Sequence, residues 1–117
     1  IRCVRAALPY LKEAAPAVVL NISSRFASSC WVAEKVLSPA EATYAYRIAK
    51  ASMNMLSACL AAEFDPEQIR VLAVDPGKVK TRFGPKDADM EPDAAAAAIL
   101  ELASKNTGTG LFVNSAG

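Results

Sequence analysis

Tyr46 and Lys50 are the first residues in this chain whose types and spacing could do chemistry. In a helix, residues four apart lie one above the other, so Tyr46-Arg47-Ile48-Ala49-Lys50 brings a phenol and an ammonium into one neighbourhood. A cation there favours phenolate over phenol and draws the tyrosine toward the working range of a general acid. So short a pair also arises by chance, and an exposed lysine beside a half-buried tyrosine is its bland alternative. Two more features bear on the choice. Ser24 closes one apolar run, and Asp75-Pro76-Gly77 closes another. Each alone reads as ordinary turn chemistry. Together, a hydroxyl, a phenol and a lysine could hold a carbonyl oxygen and deliver a proton to it.

The elements that must position them follow from pattern. Ile1 to Lys12 carries a helical stripe at Val4, Ala7, Leu8 and Leu11, with Pro9 expected to bend it or unwind its last turn. Ala17 to Ser23 reads as a strand of the fully buried, parallel kind. Residues 25–38 lack periodicity and read as a loop with Phe26 and Trp31 as packing anchors. Ser38-Pro39-Ala40-Glu41 has the form of a capping box, predicting a helix from Ser38 to Phe64, about 26 residues long. Asp65-Pro66 ends it. Ile69 to Val74 is a second buried strand, Lys78 to Met90 a long polar loop, and Glu91-Pro92-Asp93 opens a helix over Ala94 to Ser104. Gly108-Thr109-Gly110 leads into a short strand, Leu111 to Val113. Strands alternating with helices demand right-handed crossovers and a parallel sheet, an α/β fold. In such sheets ligands bind at the carboxyl ends of the strands, where Ser24 and Pro76-Gly77 fall.

Composition excludes several classes. The chain has 117 residues, 53% of them apolar, and a net charge of +1, which is neither disordered nor a basic nucleic-acid footprint. No apolar run is long enough for a membrane span and no signal peptide is visible, so a cytoplasmic protein is expected. Histidine is absent, which rules out a serine–histidine triad and histidine metal sites; no metal site is expected. Cys3, Cys30 and Cys59, odd in number and widely spaced, read as reduced and mostly buried thiols. The first glycine is Gly77, so the preceding residues cannot build a glycine-rich phosphate loop.

Three ordered stretches carry a resemblance. They are Leu20-Asn21-Ile22-Ser23-Ser24, the Tyr46-x-x-x-Lys50 helix continuing through Ala51-Ser52-Met53-Asn54-Met55-Leu56, and Asp75-Pro76-Gly77-Lys78-Val79-Lys80-Thr81. The chain resembles the classical short-chain dehydrogenases/reductases, with Ser-Ser-Arg and Gly84-Pro85-Lys86 nearest the carbonyl-reductase-like branch. The resemblance implies a Rossmann-type, doubly wound parallel sheet, of which residues 1–117 would be a single partial domain, the C-terminal catalytic half, with three strands. It implies hydride transfer between a carbonyl or alcohol substrate and NADP or NAD, NADP being slightly favoured.

Residue by residue, the resemblance makes Ser24 the group that positions the substrate carbonyl, with Ser23 as fallback. Tyr46 becomes the general acid/base, and Lys50 the holder of the nicotinamide ribose. Pro76, Gly77, Val79 and Thr81, with Tyr46 and Lys50, would line the cofactor, and loop 82–92 would be a substrate lid. The family's helices corresponding to the one from Ser38 and the one before the first strand pack between subunits, so a homo-oligomer is expected, with Ala42, Ala45, Ala58 and Ala61 permitting close approach.

The departures are equally specific. The family's glycine-rich half, which also chooses between NAD and NADP, has no counterpart here, and its catalytic asparagine would fall upstream of Ile1; Asn21 is not that residue. Residues 31–43 look like an insertion between Ser24 and Tyr46. The rival readings are a non-catalytic chain serving only association, and an epimerase or dehydratase using the same Tyr/Lys pair. Residues 1–117 alone are expected to bind neither NADH nor NADPH and to associate through the edge of the first strand.

Overall fold

The computed structural model describes residues 1–38, 42–82, 84–105 and 108–114. Helix α1 (Arg2–Glu13) leads into strand β1 (Ala17–Ile22), followed by a 3-10 turn at Arg25–Ala27 and a short helix α2 (Ser29–Ala33). Helix α3 (Tyr44–Glu63), strand β2 (Ile69–Asp75), helix α4 (Pro92–Ser104) and strand β3 (Phe112–Asn114) complete the order. The three strands form one parallel sheet in the order β1-β2-β3.

Strand alternation sends successive side chains of β2 to opposite faces, and each face has its own core. On one face Ile69 and Val71 pack with Leu60 of α3 and with Val4, Leu8 and Leu11 of α1. On the other, Leu72 and Val74 pack with Leu102 and Ile99 of α4. Helices cover both faces of the central strand, which explains its uninterrupted apolar run. Among the described residues, β1 has a strand on one side only. Its side chains are half-buried and Ile22 is exposed, so the fully buried reading holds for β2 and not for β1.

Local chemistry accounts for the remaining differences. The expected capping box involves residues 39–41, which lie outside the described residues; α3 itself starts at Tyr44 rather than Ser38. Its N-cap is Thr43, whose Oγ1 accepts from the backbone N–H of Tyr46 at 3.2 Å. Residues 25–38 are not a plain loop. Ser24 and Ser28 each cap a short helical turn, their Oγ atoms accepting from Phe26 N and Trp31 N at 3.3 Å. α2 ends in a Schellman arrangement, with Val36 N–H donating to Trp31 O and Lys35 N–H to Val32 O, and Lys35 takes the left-handed position at φ 58°. Trp31 is 42% exposed rather than a buried packing anchor.

α1 continues through Pro9 to Glu13. Pro9 and Arg5 are both exposed, so water can take the carbonyl that the missing N–H leaves unpaired. All three cysteines are exposed, which overturns the expectation of buried thiols: Cys3, Cys30 and Cys59 sit on the solvent sides of α1, α2 and α3.

Candidate active site

The register of the sheet builds the site. Parallel pairing runs from Ala17 opposite Ile69 to Ile22 opposite Val74, and Ser23 N–H extends it by donating to Val74 O at 2.7 Å. Both strands therefore end at one level, and Ser24 and Pro76-Gly77 leave the sheet along the same edge. The first turn of α3 adds Tyr46. Ser24, Tyr46, Pro76, Gly77 and Thr81 line one cleft of about 1090 Å³, which Gly84, Pro85 and Lys86 border from the following loop.

Each side chain has a definable state. Ser24 is buried, and its Oγ accepts from Phe26 N. That bond uses a lone pair and leaves the hydroxyl proton available to donate. Ser23 differs: its hydroxyl donates to Asn54 Oδ1 and so is turned into α3. Lys50 Nζ donates to Ile22 O at 2.7 Å and lies 5.8 Å from the centre of the Tyr46 ring, so the strand end fixes the ammonium beside the phenol. Tyr46 is 43% exposed and opens into the cleft. Val79 is bridged to Met90, and neither it nor Lys50 is among the residues lining the cleft. Asn21 donates to Ser57 Oγ at 2.8 Å and ties β1 to α3, a structural duty.

Two glycines shape the opening. Gly77 has φ +82°, a conformation that side-chain-bearing residues rarely adopt, and its N–H donates to Asp75 Oδ1 at 3.3 Å. At Gly84 a Cβ would lie 2.3 Å from Val79 O, so only glycine lets the loop fold back this closely. That loop is tied down by Lys80 N–H to Met90 O and by ion pairs of Lys78 with Asp87 and Lys80 with Glu91. The Lys78 ammonium holds the exposed Asp87 carboxyl below its ordinary value, chiefly through their hydrogen bond.

Sequence reasoning missed the charged pair at the floor of the cleft. Arg25 Nε lies 3.3 Å from Oδ2 of the buried Asp75, which joins the residue after Ser24 to the residue before Pro76. The available signal was an acid at the end of an apolar strand, since a carboxylate buried there needs a cation. It also missed the stack behind Tyr46. The Phe26 ring meets Tyr46 edge-on at 6.3 Å, and the Arg47 guanidinium lies 5.1 Å from the Phe26 ring centre.

This fold and this order of motifs define a family. The sequence model of the short chain dehydrogenase family matches residues 1–92, and the chain belongs to that family. The C-signal protein of Myxococcus xanthus is 30% identical over 95 residues, covering 80% of this chain and 54% of that protein. Among solved structures, the carbonyl reductase Sniffer of D. melanogaster superposes with a TM-score of 0.80 at 28% identity, over 97% of this chain and 49% of that one. The NADPH-bound carbonyl reductase from chicken fatty liver gives a TM-score of 0.80 at 31% identity, with the same coverage of 97% and 49%. The chain thus spans about half the length of the relatives it matches.

Proposed function

We propose that residues 1–117 form the catalytic half of a Rossmann-type oxidoreductase that interconverts a carbonyl and an alcohol with a nicotinamide cofactor. The observation that carries this reading is the convergence of Ser24, Tyr46, Gly77 and Thr81 on one cleft, with the Lys50 ammonium held by Ile22 O near the Tyr46 ring. A nicotinamide cofactor is supported by the likeness to both an NADPH-bound and an NAD-bound reductase, and NADP is preferred only through the family resemblance.

The residues present fit one end of a dinucleotide. At Gly77 a left-handed backbone without a side chain borders the cleft, which Lys78 and Thr81 also line. Lys50, Pro76, Gly77, Val79 and Thr81, with Tyr46, would hold the nicotinamide and its ribose. When bound, the nicotinamide exchanges a hydride with the substrate carbon. The chain's own groups handle the oxygen. Ser24 donates a hydrogen bond to it and fixes its position; Tyr46 gives up its phenolic proton as charge develops there, or takes it back in the oxidation direction. Lys50 keeps a positive charge beside the phenol, which opposes the cost of the phenolate formed when the proton leaves. The loop 82–92, whose described part is tethered by the Lys78–Asp87 and Lys80–Glu91 ion pairs, would serve as a lid that limits water.

The test is Tyr46→Phe in the full-length protein. One hydroxyl is lost from an exposed ring, so the fold should survive, while turnover should fall about 10²–10⁴-fold, the typical contribution of a general acid. Near-normal turnover would sink the assignment. Lys50→Ala should lower both turnover and cofactor affinity, because one ammonium serves both.

A further inference from the structure

Arg25 has donors that its pair with Asp75 does not use. The contact runs from Nε to Asp75 Oδ2 at 3.3 Å, and 28% of the Arg25 side chain is exposed against 7% of that of Asp75. Among the described residues no hydrogen bond ends on either Nη atom, and neither is sealed from solvent. Nη2 lies over Gly77, where an added Cβ would meet it at 3.8 Å. A guanidinium is a planar fork, so anchoring it through Nε on a fixed carboxylate presents its outer end ready to grip an oxygen pair.

That end stands where two cavities meet. Arg25, Trp31 and Asp75 line both the cleft and a smaller cavity of about 240 Å³, which Phe112 and Asn114 border from β3. The cleft is lined by three cations, Arg25, Lys78 and Lys86, against one carboxylate, Asp75. Asp75 is buried and already engaged by Arg25 and the Gly77 N–H, so it offers little repulsion to an incoming anion. An anionic group is therefore complementary to this cleft. Arg25 directly follows Ser24 and reaches over Gly77, so one small molecule can touch both the Ser24 hydroxyl and the guanidinium. The same cleft offers apolar surface at Trp31 and Val36, which are 42% and 59% exposed.

We propose that the substrate is an oxo acid with an apolar body: its carbonyl oxygen on Ser24 and Tyr46, its nearby carboxylate on the Nη atoms of Arg25, and its apolar part against Trp31 and Val36. This rests on the oxidoreductase reading and adds the substrate class. Reduction to the hydroxy acid takes a hydride from the reduced nicotinamide onto the carbonyl carbon and a proton from Tyr46 onto the oxygen. The carboxylate is unchanged, so the same ion pair holds the product. The fork of Arg25 is immobilised beforehand by Asp75, so little ordering opposes binding.

Turnover of phenylglyoxylate and 4-oxo-4-phenylbutanoate, each against its methyl ester, by the full-length protein with NADPH and with NADH tests it. At least one acid should exceed its ester about tenfold in kcat/KM, chiefly through KM, because the ester loses a hydrogen bond between charged groups. Arg25→Lys keeps a cation for Asp75 but removes the fork, and that acid-to-ester ratio should fall toward unity. If Arg25→Lys does not fold, the ratio in the parent protein still decides. Reduction of the esters with no preference for either acid would overturn the proposal and leave the reductase reading standing. Weaker cofactor binding in Arg25→Lys at an unchanged ratio would also overturn it, by assigning the guanidinium to the cofactor. If none of the four compounds is turned over, the reductase reading is what fails, and calorimetric titration with the two acids decides the carboxylate site separately. Saturable binding that weakens in Arg25→Lys supports the site; no binding, or equal binding by the variant, overturns it.

Discussion

Asp75 shows how much one side chain can organise. One carboxylate oxygen meets Arg25 and the other accepts the N–H of Gly77, so a single residue fixes the two strand ends that bear Ser24 and Pro76. Asp75→Asn keeps the size and one acceptor but removes the charge, leaving Arg25 without its ionic partner. We predict a loss of about 1.5–3 kcal/mol, the range for hydrogen bonds to charged groups, measurable by urea denaturation. Unchanged stability would mean that Arg25 finds water instead. The positions of Ser24 and Pro76-Gly77 were legible because they close strands, and those of Tyr46 and Lys50 because of their types and four-residue spacing on one helix. The Arg25–Asp75 pair and the Arg47–Phe26 stack were not. They depend on strand register and on a connection whose path no local pattern specifies.

Among the elements, α2 carries a visible strain and the loop after β2 a visible restraint. Lys35 occupies a left-handed position where glycine is the usual choice. Relief of that conformation is worth about 1–2 kcal/mol and the added freedom of an unfolded glycine opposes it by about 0.5–1 kcal/mol. Lys35→Gly should therefore stabilise the protein by roughly 0.5–1 kcal/mol in thermal or urea unfolding. A destabilised variant would show that the lysine side chain contributes more than its backbone costs.

The loop is held partly by Lys78–Asp87, both exposed, so the tie is weak and screened by salt. The Asp87 carboxyl is depressed in the folded state, so its contribution is complete above the ordinary aspartate value of about 3.9 and fades as pH falls through the lower folded value. Asp87→Asn should accordingly reduce hydrogen-exchange protection at the Lys80 and Met90 amides at neutral pH, and 1 M salt should narrow its difference from the parent protein. Equal protection in the two proteins at low salt would assign the restraint to the Val79–Met90 bridge and the Lys80–Glu91 pair. The helix start at Thr43 eluded the sequence because Ser38 and Thr43 are both valid caps, and only the tertiary path of the connection selects between them.

In the whole molecule, the alternation of helix and strand made the parallel sheet legible, since period and order suffice to fix that class. The half-buried state of β1 was not legible, because a strand's neighbours across the sheet leave no mark on its own residues. The surface also carries an uncovered apolar stripe on α3, with Tyr44, Ile48 and Met55 at 86%, 65% and 66% exposure. Of the alanines expected at an interface, Ala45 and Ala58 are exposed, whereas Ala61 packs in the core and Ala42 lines the cleft. We predict that the full-length protein associates through the α3 stripe and that Met55→Glu shifts it toward monomer at tens of micromolar, as read by light scattering. A parent protein already monomeric at that concentration would count against the interface.

The three exposed thiols bear on how that measurement is made. In air, cysteines on the outer faces of α1, α2 and α3 can cross-link copies of the chain covalently, and such a product would scatter light like a native assembly. A reductant removes the artefact. The same thiols then become a footprint: Cys59 shares α3 with the stripe, while Cys30 stands on α2. Association along α3 should slow maleimide labelling of Cys59 and leave Cys30 reacting at its original rate.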